Sequence, residues 1–426
     1  MIRHLSKSLL TGAVLGLALS LSPANAQELS LWHAYGDPGT AMFQKMADLY
    51  KREHPNVTVK ALSMPREQWI QRSIAALNTS TAPDLIANDN DVMVQVEKST
   101  GKLADLKPAV AEIPAADRAF ITEGDIGGSS FKGKLIMLPV NRAIVGLGAR
   151  KTWLDEVGET FPKTWGDYLR VAGKFKEKHK DTYPVGLHAG TPAAITYAGI
   201  DLMAYGNGAP HVLVDEKGDI VIDKPYVAKP LIEYLKLFTE YKYVSPETTN
   251  YTFVELNQMV EAGKVGLFRV GNWSVAKWDK EGPKGDYVIG PYPSMEPGGT
   301  GAMIVSTLRG VAVPENAKNK EAAIGFVKFL MSKAPQQVFL DDLGGALRTD
   351  LDASKVTPGL KPFLEKDVKL QTDDFASAVF PWYGSLQEKY YRMLLEAIGN
   401  PPKDWNAWVQ ATAEKLRAAV VELKKT

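Results

Sequence analysis

LSLWHAYGD, residues 29–37, begins as a strand and ends as something else. Leu29 and Leu31 alternate with Ser30 in the two-residue period of a half-buried strand. Trp32, His33, Ala34, Tyr35, Gly36 and Asp37 then put large rings and a carboxylate where the chain should turn. Over 39–54, Phe43, Met46, Ala47 and Tyr50 fall at i, i+3, i+4 and i+7, the stripe of an amphipathic helix, and Pro55-Asn56 stops it. Residues 57–61 alternate as a second strand. Trp69, Ile70, Ile74 and Leu77 mark a second helix over 68–77, and Leu85-Ile86-Ala87 follows as a third strand. Strand and helix in strict alternation predict a parallel sheet with crossover helices. In such sheets ligands sit beyond the carboxyl ends of the strands, and 32–37 and 88–91 are two such ends.

The pattern extends along the chain. It predicts strand and turn over 133–140, a helix over 165–178 capped by Thr164, and a helix over 230–242 with Pro230 in its first turn. A helix over 253–262, strands at 264–268 and 304–313, and a helix over 321–332 follow. A last helix, 404–424, aligns Trp405, Trp408, Val409, Leu416, Ala419, Val420 and Leu423, with Thr412 the polar member of the stripe. There are no repeats. Two segments rich in Pro and Gly stand out, 282–301 and 398–402.

A chain of 426 residues calls for two domains or one large one. With 45% apolar and 23% charged residues it reads as globular, and a formal net charge of +1 gives nucleic acid no basic face to meet. Arg3, His4 and Lys7, the apolar run 9–21, Pro23 and Ala24-Asn25-Ala26 predict a cleaved export signal over 1–26. The competing reading, an uncleaved anchor helix, needs a longer apolar run. Loss of Arg3 and Lys7 takes the net charge from +1 to about −1. The remaining chain has no second long apolar stretch and is expected to be soluble and periplasmic. It has no cysteine, so the fold relies on its core, and thiol catalysis, thiolate metal sites and lipid attachment at the cleavage site are excluded.

No catalytic or nucleotide motif is complete. Gly127-Gly128-Ser129-Ser130-Phe131 lacks nucleophile-elbow spacing, Gly263-Lys264 is followed by Val, and Gly146-Leu147-Gly148 lacks the third glycine of a dinucleotide fingerprint. The six histidines are scattered. Asp89-Asn90-Asp91 starts like a calcium loop, but Val94 stands where Gly is required. Tyr390-Tyr391 fits helix packing better than ferric-ion binding. Neither a cofactor nor a metal is expected. Paired-carboxylate catalysis stays open, since no pair is singled out.

What recurs is an aromatic or multi-acceptor group at predicted strand ends. Trp32, His33, Tyr35 and Asp37 follow the first strand; Asn88, Asp89, Asn90 and Asp91 the third. Asn141 and Arg142 follow Pro139, His188 and Thr191 follow 185–187, and Asn272 and Trp273 follow 264–268. Arg348 follows Gly344-Gly345, and Trp382 follows Pro381. A pyranose suits such a set. Its C–H face stacks on an indole or phenol, and its hydroxyls need donors and acceptors in fixed directions.

Several segments together resemble a known family. They include LSLWHAYGD, YKREHPNVTVKAL (50–62), LNTSTAPDLIANDND (77–91), GKLADLKP (101–108) and FKGKLIMLPVN (131–141). WLDEVGETFPKTWGDYL (153–169), MVEAGKVGLFRVGNW (259–273), GPYPSMEPGG (290–299) and NKEAAIGFVKFLMS (319–332) follow in the same order. The chain resembles the extracellular solute-binding proteins of ABC importers, of the carbohydrate type that includes maltose-binding protein. The resemblance implies a two-lobed α/β periplasmic-binding-protein fold, each lobe a mainly parallel sheet flanked by helices, joined by hinge crossings near 140–144, 288–292 and 344–348. The amino lobe would be 27–142 plus 291–345, and the carboxyl lobe 143–290 plus 346–426. One departure is that 144–150 lacks the Tyr and Asn often found after the first crossing.

The implied function is non-enzymatic: a monomer closes on a mono- or disaccharide or glycoside and presents it to a membrane permease with its ATPase subunit. Trp32, Tyr35 and Trp273 are then expected as stacking or wall groups, and Asp37, Asp89 and Asp91 as hydroxyl acceptors. Asn141, Thr191 and Asn272 are expected as amide or hydroxyl contacts, and Arg348 for a charged or multi-hydroxyl group. Arg142, His33, His188 and Trp382 are second choices. An anionic sugar derivative is the alternative solute, suggested by Arg142 and Arg348. A secreted glycoside-active enzyme is the alternative of another class.

Overall fold

A computed structural model describes residues 26–195, 199–282, 285–299, 301–364, 369–372 and 380–425. The expected export signal lies outside them except for Ala26. The strands are β1 (Gln27–His33), β2 (Val57–Ser63), β3 (Leu85–Asp89), β4 (Ser130–Phe131), β5 (Lys134–Leu135), β6 (Leu138–Ala149), β7 (Tyr183–Gly186), β8 (Val265–Gly271), β9 (Val288–Gly290), β10 (Ala302–Ala312) and β11 (Lys369–Thr372). Nine form one sheet in the order β2-β1-β3-β10-β6-β8-β7, with β11 beside β10 and β9 beside β6; β4 and β5 pair separately.

The sheet is mixed. β1 runs parallel to β2 and β3, and β7 to β8, so the expected crossover units occupy its two ends. Between them the long strands β6 and β10 are antiparallel to each other, β10 also to β3 and β6 also to β8. β6 changes partners midway. Leu138 to Ala143 face β10, whereas Val145 to Ala149 face β8. β10 is divided likewise, its 309–312 end paired with β3 and its 302–305 end with β11. These two strands thread both lobes of an α/β fold.

Local chemistry explains most elements. Helix Gly36–Glu53 buries Met42, Phe43, Met46, Ala47 and Tyr50, the stripe read from the sequence, in one core cluster with Leu29 and Leu31 of β1. Each such large apolar side chain stabilises by roughly 1.5–3 kcal/mol on full burial. Asp84 accepts from Ser30 N (2.9 Å), Ser30 Oγ (3.1 Å), Asn319 N (2.9 Å) and Asn319 Nδ2 (3.2 Å), tying the approach to β3 to β1 and to the start of helix Lys320–Phe329. Thr164 caps helix Trp165–Lys178 in a reciprocal box with Asp167. The helix expected over 230–242 is Pro225–Thr239 instead. Pro225, not Pro230, takes the first turn, and Val227, Pro230, Leu231 and Tyr234 continue its buried stripe. Helix Trp405–Leu423 is capped by Asp404, which accepts from Ala407 N at 3.0 Å. Tyr390 lies in the core, and Tyr391 Oη donates to Ala189 O at 3.2 Å. Gly146 and Gly148 serve packing: a Cβ would meet Gly290 O at 2.7 Å in one case and the Phe268 ring in the other. Among the described residues no helix is long and apolar enough to cross a membrane.

Candidate functional site

The end of β1 positions the first group. Strand alternation sends Leu29, Leu31 and His33 to one face and Trp32 to the other, where it packs half-buried in a cluster with Met64, Trp69 and Ile86. His33 is fully buried. Its Nδ1 accepts from Tyr35 N at 3.2 Å, and its Nε2 meets Thr40 Oγ1 at 3.2 Å. Thr40 Oγ1 donates to Gly36 O at 3.3 Å, so the imidazole is the neutral Nε2–H tautomer. Burial pushes its pKa down to about 4. His33 therefore sets the backbone that carries Tyr35. The Tyr35 hydroxyl is buried without a protein hydrogen-bond partner, and burial, then Asp89, holds its pKa well above the usual phenol value. Asp37 is exposed on the first helical turn.

Asp89 and Asp91 frame the start of helix Asn90–Thr100, as the sequence placed them. Arg66 holds both: Nη1 donates to Asp89 at 3.0 Å and Nη2 to Asp91 at 2.9 Å. A second arginine, Arg309 on β10, brings Nε to 3.5 Å from Asp89 Oδ1 and Nη1 to 3.5 Å from Asn141 Oδ1. Its guanidinium lies 5.4 Å from the Tyr35 ring centroid and 5.1 Å from that of Trp273.

Trp273 comes from the other half of the molecule, in the first turn of helix Asn272–Glu281 just past β8. Phe253 stands 5.3 Å from it, centroid to centroid. Arg269, two residues before the end of β8, places its guanidinium 5.5 Å from Trp273 and 5.6 Å from Phe253. His188, beyond the carboxyl end of β7, lies 6.0 Å from Phe253. Burial, then the charge of Arg269, depresses its pKa well below the usual imidazole value, so it is neutral at pH 7. Tyr35 Oη, Asp89 Oδ1, Asp91 Oδ1, Asn141 Nδ2, His188 Nδ1, Arg269 Nε and Arg309 Nε are buried with no hydrogen-bond partner among the described residues. Donors and acceptors thus converge on one place, as a polyhydroxylated molecule demands.

Residues 36–337 match the family model described as bacterial extracellular solute-binding protein. The chain belongs to this family. Proteins of this family bind solutes, and the class serves ABC transporters. An ABC transporter periplasmic-binding protein of Escherichia coli is 24% identical over 203 residues, 46% of this chain and 45% of its own length. The melibiose/raffinose/stachyose-binding protein of Bacillus subtilis is 20% identical over 303 residues, 68% of this chain and 67% of its own. Among solved structures, a maltose-bound binding protein of Thermotoga maritima superposes with a TM-score of 0.74 at 18% identity, covering 92% of this chain and 100% of its own. It shares the two-lobed fold.

In this solute-binding protein Asn272 braces β6 where that strand changes partners. Its Oδ1 accepts from Ile144 N at 3.2 Å, and its Nδ2 donates to Arg142 O at 3.1 Å, one residue on each side of the point where β6 changes partners. Gly345 completes the contact. Its carbonyl accepts from Arg142 N at 2.6 Å, and a Cβ on it would overlap the Arg142 carbonyl oxygen.

Four expected residues have other neighbours. Arg142 Nη2 donates to Asp125 at 2.6 Å, and Arg348 is ion-paired to Asp117 and Asp350. Thr191 is exposed and accepts from Ala194 N at 3.1 Å. Trp382 stacks on Phe380 at 4.8 Å and shares none of the cluster's contacts. Arg66, Phe253, Arg269 and Arg309 were not read from the sequence. For Arg269 and Arg309 a signal existed: each is the one charged residue of its strand, VGLFRVG and AMIVSTLRGVA. A separate concavity of about 770 Å³, lined by Gly190, Lys242, Asn250 and Tyr391 among others, shares none of the cluster's side chains.

Proposed function

We propose that this chain is the periplasmic substrate-binding component of an ABC sugar importer, capturing a mono- or disaccharide or glycoside between its lobes and delivering it to the permease. The observation that carries the reading is the convergence of Tyr35, Arg309 and Trp273 from three separate stretches of sequence, ringed by buried polar atoms that make no hydrogen bond among the described residues. The names of the relatives support a carbohydrate. Tyr35 and Trp273 serve as ring walls, with Asp89, Asp91, Asn141 and His188 as hydroxyl partners. Trp32, His33 and Asn272 act behind them, as backing and as holders of the loop and the crossing.

Strand pairing supports a hinge. In place of the crossings expected near 140–144 and 288–292 we put them at 143–145 in β6 and at 306–308 in β10, and keep the one at 344–348, where Arg142 N donates to Gly345 O. A solute that touches both walls binds the closed form better and shifts the hinge equilibrium toward it. The protein is exported, acts as a monomer, and leaves ATP hydrolysis to a partner subunit.

Isothermal titration over neutral and acidic sugars, paired with small-angle scattering, tests this. The expected result is saturable heat with a smaller radius of gyration and intact solute afterwards. Recovery of cleaved glycoside would transfer the chain to the enzyme reading, and an absence of both heat and compaction across the panel would dismiss sugar capture.

A further inference from the structure

We propose that the solute carries an acidic group, a carboxylate, phosphate or sulfonate on a sugar frame, and that Arg269 is the residue that meets it. This rests on the solute-cleft reading above and adds the charge of the guest.

The inference comes from matching charges across the cluster. On the amino-lobe side two cations, Arg66 and Arg309, stand with two carboxylates, Asp89 and Asp91, within ion-pair distance. That group is internally balanced. Arg142 and Arg348, the arginines the sequence suggested for an anion, are likewise taken by Asp125, Asp117 and Asp350. Arg269 alone of these five has no carboxylate within 4.0 Å among the described residues, although its side chain is only 6% exposed and its Nε has no hydrogen-bond partner. A buried charge without a counter-charge is strongly disfavoured, so proteins pair such groups or leave them for a ligand. Burial draws its pKa down to about 10.

The local geometry fits an oxyanion. Phe253 and Trp273 lie 5.6 and 5.5 Å from the guanidinium, distances at which the rings favour the cation while offering no acceptor. The planar fork remains available for two parallel hydrogen bonds, which carboxylate, phosphate and sulfonate oxygens accept. His188, neutral and with Nδ1 unpartnered, supplies a neighbouring uncharged group. Arg269 also stands beside the carboxyl ends of two parallel strands, β7 and β8, the position where such sheets hold ligands. A neutral sugar would leave the arginine uncompensated. An acidic one neutralises it while Trp273 and Tyr35 cover the ring.

The test is a calorimetric panel on the full mature chain: glucose and maltose as neutral sugars, glucuronate, glucose 6-phosphate and 6-deoxy-6-sulfoglucose as acids, with inorganic phosphate and sulfate alone. At least one acid should bind roughly 100-fold tighter than glucose, with the preferred acid identifying the group. In Arg269→Met that acid-to-neutral ratio should collapse, and in Arg269→Lys it should fall by a smaller factor, because charge remains while the fork is lost. Melting curves report whether each variant folds; if Arg269→Met does not, the wild-type panel and Arg269→Lys decide. Tight binding of a neutral sugar with no preference for any acid overturns this proposal and leaves sugar capture standing. No binding of any sugar, neutral or acidic, removes both. Binding of inorganic phosphate or sulfate as tightly as the acidic sugars would also overturn it, since the sugar frame would then contribute nothing.

Discussion

Arg309 and Trp273 stand 5.1 Å apart, guanidinium to indole, although one belongs to the strand that pairs with β3 and the other to the helix that follows β8. A cation on β10 thus lies over a ring that follows β8, with the Tyr35 ring 5.4 Å from the same guanidinium. Contacts of this type contribute about 0.5–2 kcal/mol, depending on how dry they are.

Trp273→Ala should weaken binding of the cognate solute by roughly 30-fold or more, as truncation of a buried aromatic anchor does at an interface centre. Titration calorimetry reads this directly. Unchanged affinity would take Trp273 out of the solute wall.

Gly345→Val should lower stability by about 1–3 kcal/mol, the usual range for overpacking, because the new side chain meets the Arg142 carbonyl and the amides of Asn272 and Asn141. The same wedge sits on the crossing proposed at 344–348, so solute-induced compaction should shrink as well. Urea melts and scattering with and without solute measure the two effects, and wild-type values for both would refute the contact's role.

His33 gives stability a pH dependence of known sign. Its folded pKa of about 4 lies below the ordinary 6.5. Between those values the unfolded chain takes up a proton that the folded chain refuses, so stability falls as pH drops through that window. The slope approaches 1.4 kcal/mol per pH unit, on the order of 3 kcal/mol by pH 4. His33→Gln should be less stable at pH 7 yet show a shallower fall toward pH 4. Parallel stability curves for the two proteins would contradict this.

Asp84→Ala removes the acceptor shared by Ser30 and Asn319. Leaving their donors unpaired should cost about 3 kcal/mol, at about 1–3 kcal/mol per buried group. Chemical denaturation checks it, and a loss under about 0.5 kcal/mol would show that water replaces the carboxylate.

Where periodicity was strong the sequence was readable. The stripe of helix Gly36–Glu53 and the Thr164 cap follow from local rules, because each depends on residues a few positions apart. The order of long-range strands did not follow. Nothing local tells β10 to enter between β3 and β6 and turn the middle of the sheet antiparallel. At the site, Tyr35, Asp89, Asp91 and Trp273 were visible as unusual groups at strand ends. Arg66 was not, because an arginine opening a surface-like helix looks solvated until Asp89 and Asp91 are placed beside it. The ion pairs of Arg142 with Asp125 and of Arg348 with Asp117 were not visible either, because those partners lie elsewhere in the sequence and carry no motif.

Asn272 and Trp273 are neighbours in the chain with unlike duties. One side chain grips the backbone on both sides of Ala143, and the other forms part of the ring of aromatic and charged groups. On the reading proposed here, a force on the indole arrives at the pivot across a single peptide unit. Sensing and bending then need no relay through the protein interior, and mutations scattered elsewhere in either lobe can retune solute preference without disturbing how the clamp swings.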